Sequence, residues 1–185
     1  MVDVVRKDIT KEEAARRQIE TAIRLLFAND DAICIHVIAS SAQIIVTDVC
    51  RNHGKNTVTD MLAEYIRPEA LKDFRRILKS PYNYFKHAKR DTDTELAHFD
   101  EGMNDIILWF AVIDYITAFS KPTATMLCFL AWFIAVNPKF VKPGMPELDE
   151  VVVLIKKVFG GIDKLARHEQ KLRGLSAMKL IPVTP

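Results

Sequence analysis

Between positions 80 and 91 the chain reads Ser80, Pro81, Tyr82, Asn83, Tyr84, Phe85, Lys86, His87, Ala88, Lys89, Arg90 and Asp91, the most concentrated gathering of chemistry-bearing side chains in its 185 residues. An imidazole titrates near neutral pH, so His87 is a candidate general acid or base. Asp91 follows it by one helical turn, so a helix would place the two on one face, and Asn83 is a further candidate. Tyr82, Lys86, Lys89 and Arg90 are suited to holding a phosphate or another anionic ligand. The opposing reading is packing. Aromatic residues at a helix junction ordinarily plug a core, and Asn83 and His87 can satisfy buried backbone groups there.

Further along, Glu95-Leu-Ala-His98 has the Glu-x-x-His spacing that puts a carboxylate and an imidazole on one helix face, as in di-iron bundles. Such sites need two of these motifs and two further glutamates, and the chain has one motif. Glu95 and His98 are therefore weak metal candidates and no metal site is expected. Asp91, Asp93, Asp100 and Asp105 lack the spacing of a calcium loop. There is no glycine-rich phosphate loop, Cys-x-x-Cys pair, nucleophile elbow or His-Glu-x-x-His. No cofactor is expected.

Two ionisable residues lie inside apolar runs. Asp114 interrupts the stretch from Ile106 to Phe119, where an unpaired carboxylate is costly, so it must find a partner. A Lys, Arg or Tyr from a neighbouring helix is the expected one; the alternative is a pocket that raises its pKa and gives it a functional role. His36 sits beside Cys34, Ile35 and Val37 and is expected to be a hydrogen-bonded core histidine, with His53 and His168 exposed.

The segment around His87 resembles the HEPN superfamily of helical-bundle domains. Its nuclease members carry an Arg, commonly followed by a polar residue such as Asn, and then a His four to six residues after the Arg. In register, Asn83 and His87 match the polar residue and the histidine, and Tyr82 holds the arginine position. The alternation of charged and small apolar residues in the N-terminal helical pair adds to the likeness, which covers about the first half of the chain. The resemblance implies a helical bundle, a homodimer, and RNA, a nucleotide or a partner protein as ligand. Because tyrosine supplies no permanent cation to phosphate, it also implies a degenerate cleavage site.

Helices must position these groups. Thr10 and Glu13 have capping-box spacing ahead of Ala15, Ile19, Ala22, Ile23 and Leu26. Asn29 to Asp31 cap a second, mostly apolar helix over 32–50, and Thr57 or Thr59 starts a short third. Pro68 opens a helix ending near Lys79 at Ser80 and Pro81. Helices follow over 100–119 and, after a turn at 120–123, as far as Val136, a pair expected to form the centre of the core. A last amphipathic helix covers 147–172. This predicts an all-α, single-domain bundle of about six or seven helices over residues 1–185, with 1–9 and 176–185 as peripheral tails.

Composition agrees. Six glycines are few for a strand-rich domain, and 49% apolar with 27% charged residues is an ordinary globular balance. Three scattered cysteines, Cys34, Cys50 and Cys128, fit buried free thiols in a reducing compartment. With no signal-peptide pattern, a cytoplasmic location is expected. The apolar runs at 106–119 and 124–136 fall short of the roughly 20 residues that span a bilayer, so no membrane span is expected.

Charge is uneven: residues 67–90 hold eight Lys or Arg and two acids, and 91–120 hold seven acids and no Lys or Arg. Two neighbouring elements attracting each other is the plain explanation, and a phosphate-binding patch beside an acidic rim is the functional one. With no complete catalytic set in the sequence, the expected class is a non-enzymatic interaction or ligand-binding module. It would meet an anionic ligand, nucleic acid or a protein partner through residues 67–91, with homodimerisation possible. A HEPN-like RNase and a metal-dependent helical enzyme are the alternatives.

Overall fold

A computed structural model describes residues 8–87, 93–96, 98–140 and 146–181, the side chains of 146–150 excepted. These residues contain eight α-helices and no strand. The helices are α1 (Lys11–Phe27), α2 (Ala32–Asn52), α3 (Val58–Ala63), α4 (Pro68–Lys86), α5 (Met103–Phe119), α6 (Ala124–Val136), α7 (Pro146–Phe159) and α8 (Arg167–Met178). The all-α multi-helix bundle is thus observed.

Helix starts follow side-chain chemistry. Thr10 accepts from the Glu13 N–H at 3.1 Å, Asp31 from Cys34 at 2.8 Å and Thr123 from Met126 at 3.3 Å. The expected capping box at Thr10 is only half formed, because the Glu13 carboxylate turns to Arg16 and Arg17. The reciprocal box stands instead at Thr57 and Asp60, opening α3. Gly54, at φ +66°, supplies the left-handed residue just after α2.

Three boundaries differ from expectation. Pro81 does not end α4, which continues to Lys86 with the proline inside it. Tyr82 and Phe85 extend the apolar positions of Leu78 by i+4 and i+7, and their burial offsets the lost backbone hydrogen bond. The expected final helix is two helices, broken at Gly160 and Gly161, where Gly161 adopts φ +75°. Finally, α8 runs into the proposed C-terminal tail as far as Met178. Residues 1–7 and 182–185 lie outside the described set.

The core is centred on α2 packed against α5 and α1, rather than on α5 and α6. Ile35, Ala39, Ala42 and Val46 of α2 meet Ile107, Leu108, Ala111 and Tyr115 of α5, and Ile19, Ala22, Ile23 and Leu26 of α1 cover them. A second focus is aromatic: Phe27 stands edge-on to Trp132 and tilted to Phe129. Trp132 donates its indole N–H to the Gln170 carbonyl at 2.7 Å, which fastens α8 to α6. The outer helices are more open. In α7, Ile155 and Phe159 are buried while Val151, Val153, Leu154 and Val158 are exposed.

By length and composition α2 is the one described helix able to cross a bilayer, a property the sequence reading assigned most nearly to 106–119 and 124–136. Its inner side is core, with His36, Ser40 and Thr47 buried among the apolar residues. Cys50 is buried and Cys128 half-buried, but Cys34 is exposed beside Asp31, contrary to expectation. All three thiols are shifted upward, Cys128 to about 11 by burial, so none is poised as a thiolate near neutral pH.

Gly174 of α8 lies directly on the Phe27 ring, and a Cβ there would overlap ring atoms. Gly174→Ala is therefore expected to lower stability by about 1–3 kcal/mol in urea unfolding, although alanine is the better helix former. An unchanged midpoint would mean that Phe27 has room to move.

Candidate functional site

In α4, Lys72, Arg75, Lys79, Tyr82 and Lys86 follow one another at intervals of three, four, three and four residues. That spacing keeps them along one edge of the helix, over a length of about 21 Å. The apolar positions Leu71, Phe74, Leu78 and Tyr82 are turned towards the protein, with α2 as the helix packed against α4. Lys72, Arg75, Lys79 and Lys86 are exposed, and none forms an ion pair among the described residues. Lys86 places its ammonium 5.2 Å from the centroid of the buried Tyr82 ring.

The expected attraction between the basic block and the following acids does not account for these charges. Asp105 is paired with Arg167 at 2.6 Å, and Glu101 accepts from Lys171 at 2.8 Å, so α8 supplies their cations. Lys171 is 2% exposed and also donates to Asn29 at 2.9 Å, tying α8 to the end of α1. Arg167 lies 5.3 Å from the Trp132 ring. Burial raises the Asp105 carboxyl despite Arg167. A cleft of about 320 Å³ opens beside this network over Ile106, Phe133 and Val136. Its charged groups serve chiefly to hold three helices together.

The edge of α4 borders a smaller cavity of about 60 Å³ between α2, α4 and α5. Ser40, Gln43 and Thr59 supply polar groups, Ile44, Leu78, Ile107 and Phe110 form apolar wall, and Arg75, Lys79 and Tyr82 line the α4 side. Ser40 is 5% exposed and its Oγ makes no hydrogen bond.

The residues singled out from the sequence are dispersed. Asn83 and His87 are exposed at the end of α4, where the His87 N–H donates to the Asn83 carbonyl at 3.1 Å. Lys86 is exposed, whereas Tyr82 is buried as part of the cavity wall. Lys89, Arg90 and Asp91 lie outside the described residues. Glu95 and His98 are exposed but not on a helix, and His98 has φ +60°, so the one-face geometry assumed for them does not form. The described residues contain no group of three or more His, Cys, Asp or Glu able to hold a metal.

The aromatic residues of the segment do pack. Tyr84 donates to the Thr94 carbonyl at 2.5 Å, and Phe85 and Phe99 present ring edges to His36 at 6.0 and 5.3 Å. His36 is fully buried, with Nδ1 2.9 Å from Asn104 Oδ1. Since the Asn104 amide donates to the Ala32 carbonyl, its oxygen faces the imidazole and Nδ1 carries the proton. Burial lowers the His36 pKa, partly opposed by the Asn104 bond.

Asp114 finds neutral donors rather than the expected cation or tyrosine. Its Oδ1 accepts from the Val58 N–H at 2.8 Å and its Oδ2 from the Thr47 hydroxyl at 3.2 Å. Burial pushes its pKa up to about 6, and the two hydrogen bonds only partly offset that rise. It belongs to the core and lines neither of the two cavities described above.

Sequence reasoning missed Arg75, Lys79 and Ser40 as members of one site. The three-four spacing of the cations was available, but ending the helix at Lys79 hid its continuation to Tyr82 and Lys86. No family model matches the chain, and no curated protein or solved structure matches it.

The raised pKa of Asp114 has a signed consequence. The folded state holds its proton more tightly than the unfolded chain, so this contribution is complete below about pH 4 and is lost as pH rises through about 6. Its size is about 2–3 kcal/mol. Asp114→Asn keeps an acceptor for Val58 and needs no ionisation. The variant should match or exceed wild-type stability at pH 7.5 and lack that part of the decline. Urea unfolding from pH 4 to 8 checks this, and parallel curves for the two proteins would contradict it.

Proposed function

We propose that this chain is a non-enzymatic binding module whose α4 edge receives an extended polyanion, single-stranded RNA fitting best. The observation carrying this reading is the row Lys72, Arg75, Lys79 and Lys86, four exposed cations on one helix edge without an acidic partner among the described residues. An edge of about 21 Å is long enough to meet several successive phosphates. Flexible Lys and Arg stems allow those contacts without a rigid match in spacing. Such binding is dominated by counterion release and reads little sequence.

A HEPN-like RNase is the second reading, favoured by the exposure of Asn83 and His87 beside Lys86. Against it, the motif arginine position holds the buried Tyr82, so the phosphate charge there lacks its usual partner. A homodimer bringing two such helix ends together would be the setting for that chemistry.

Fluorescence anisotropy with an unstructured RNA oligomer tests the main reading. Four phosphate contacts predict that log K falls with log salt with a slope of about −3. Replacing Lys72 and Lys86 by Gln should reduce the slope magnitude by about 1.4 and weaken binding at least tenfold at low salt, with the melting temperature unchanged. Absence of salt-dependent binding would sink the proposal. RNA cleavage that disappears in His87→Ala would instead establish the nuclease alternative.

A further inference from the structure

We infer that the cavity between α2, α4 and α5 is a subsite for a phosphate monoester, a dianion distinct from the diesters that would run along the α4 edge. The inference rests on reading α4 as an anion-binding edge, and it names the group that the inner end of that edge selects.

Three buried side-chain polar atoms lack a hydrogen-bond partner among the described residues: Gln18 Oε1, His36 Nε2 and Ser40 Oγ. The first is an acceptor. With the His36 proton on Nδ1, the second is an acceptor too. Of these three atoms, Ser40 Oγ is the one donor, and Ser40 lines this cavity. The other buried donors on the same side of α2 are used, Thr47 by Asp114 and Cys50 by the Asp114 carbonyl. Gln43, also in the lining, spends one amide hydrogen on Thr47 at 2.8 Å and keeps a second. A group entering from the α4 side would thus meet a hydroxyl and an amide on α2, and the cations of Arg75 and Lys79 on α4.

Size and charge select the occupant. A cavity of about 60 Å³ has room for one oxyanion group. A backbone diester offers two non-bridging oxygens and one charge. A terminal phosphate offers three oxygens and two charges to two cations and two neutral donors. Apolar wall from Leu78, Ile107 and Phe110 strengthens those interactions by excluding water. The inference requires that an entering oxygen reach the Ser40 hydroxyl, which lies on the α2 wall of the cavity. Two sources offer a monoester, a free small molecule and the 5′ end of a strand, and the experiment separates them.

Inorganic phosphate is titrated into the full chain with the melting temperature and calorimetric heat as readouts. Anisotropy is measured in parallel with one RNA oligomer in 5′-phosphate and 5′-hydroxyl forms. A saturable upward shift with inorganic phosphate is expected, lost in Ser40→Ala and in Arg75→Gln/Lys79→Gln. Ser40→Ala removes an unpaired hydroxyl, so its melting temperature without phosphate should equal or exceed wild type, which separates lost binding from misfolding. If the strand end is the source, the 5′-phosphate oligomer binds about tenfold tighter than its hydroxyl counterpart and Ser40→Ala erases the difference. If a small molecule is the source, the two oligomers bind alike while inorganic phosphate still binds through Ser40. The subsite is overturned if neither probe shows a phosphate preference, or if Ser40→Ala leaves both responses unchanged. The 5′-hydroxyl oligomer reports on the α4 edge independently, so its binding without any phosphate preference removes the subsite alone, and its failure to bind removes the broader reading.

Discussion

The register of α2 against α5 is the constraint on which the rest of the structure depends. Two buried polar contacts join the helices, His36 to Asn104 and Thr47 to Asp114, and Cys50 adds a bond to the Asp114 carbonyl. Partner numbers rise together along both helices, so α2 and α5 run in the same direction. A slip of one turn would unpair both contacts and leave an imidazole, an amide and a carboxyl buried without partners, at about 1–3 kcal/mol for each neutral group and more for a charge. Apolar packing supplies most of the attraction between these helices but tolerates several alignments. The polar pairs supply the preference for one of them.

Parallel helices cannot be joined by a tight turn, and this dictates what lies between them. The chain leaves α2 at Asn52, turns through α3, and returns along α4 before α5 can start at the end where α2 began. Asp114 makes that return specific, because it accepts the N–H of Val58, the first residue of α3. The connection carries the strongly basic helix to the outside of the α2–α5 pair, where only one of its faces is used for packing. Its other edge is left to solvent with its charges intact.

Two members of the acidic block are used elsewhere. Asp105 and Glu101 stand at the start of α5 and take Arg167 and Lys171 from α8, while Trp132 holds the Gln170 carbonyl. These contacts bring the C-terminal helix onto the aromatic focus around Phe27. They also engage two acids of the block, and Lys72, Arg75, Lys79 and Lys86 of α4 have no acidic partner among the described residues.

Local chemistry alone made most elements legible in the sequence: caps at Thr10, Asp31 and Thr57, Gly54 after α2, and the apolar periodicity of α1, α2, α5 and α6. It was enough for the helical class, because caps and periodicity depend on residues within one or two turns. The passage of α4 through Pro81 was not legible, since burial of Tyr82 and Phe85 against distant residues outweighed a strong local stop signal. Nor was the partner of Asp114 legible, because a backbone N–H 56 residues away carries no residue-type signature. The basic block was visible as composition, but only the tertiary structure shows that Lys72, Arg75, Lys79 and Lys86 have no acidic partner among the described residues. Ser40 looked like any small residue in an apolar helix, and only the tertiary arrangement shows its hydroxyl buried without an acceptor beside two cations. Sequence determines what is local in range, and long-range packing decides which polar groups remain unpaired and therefore available to a ligand.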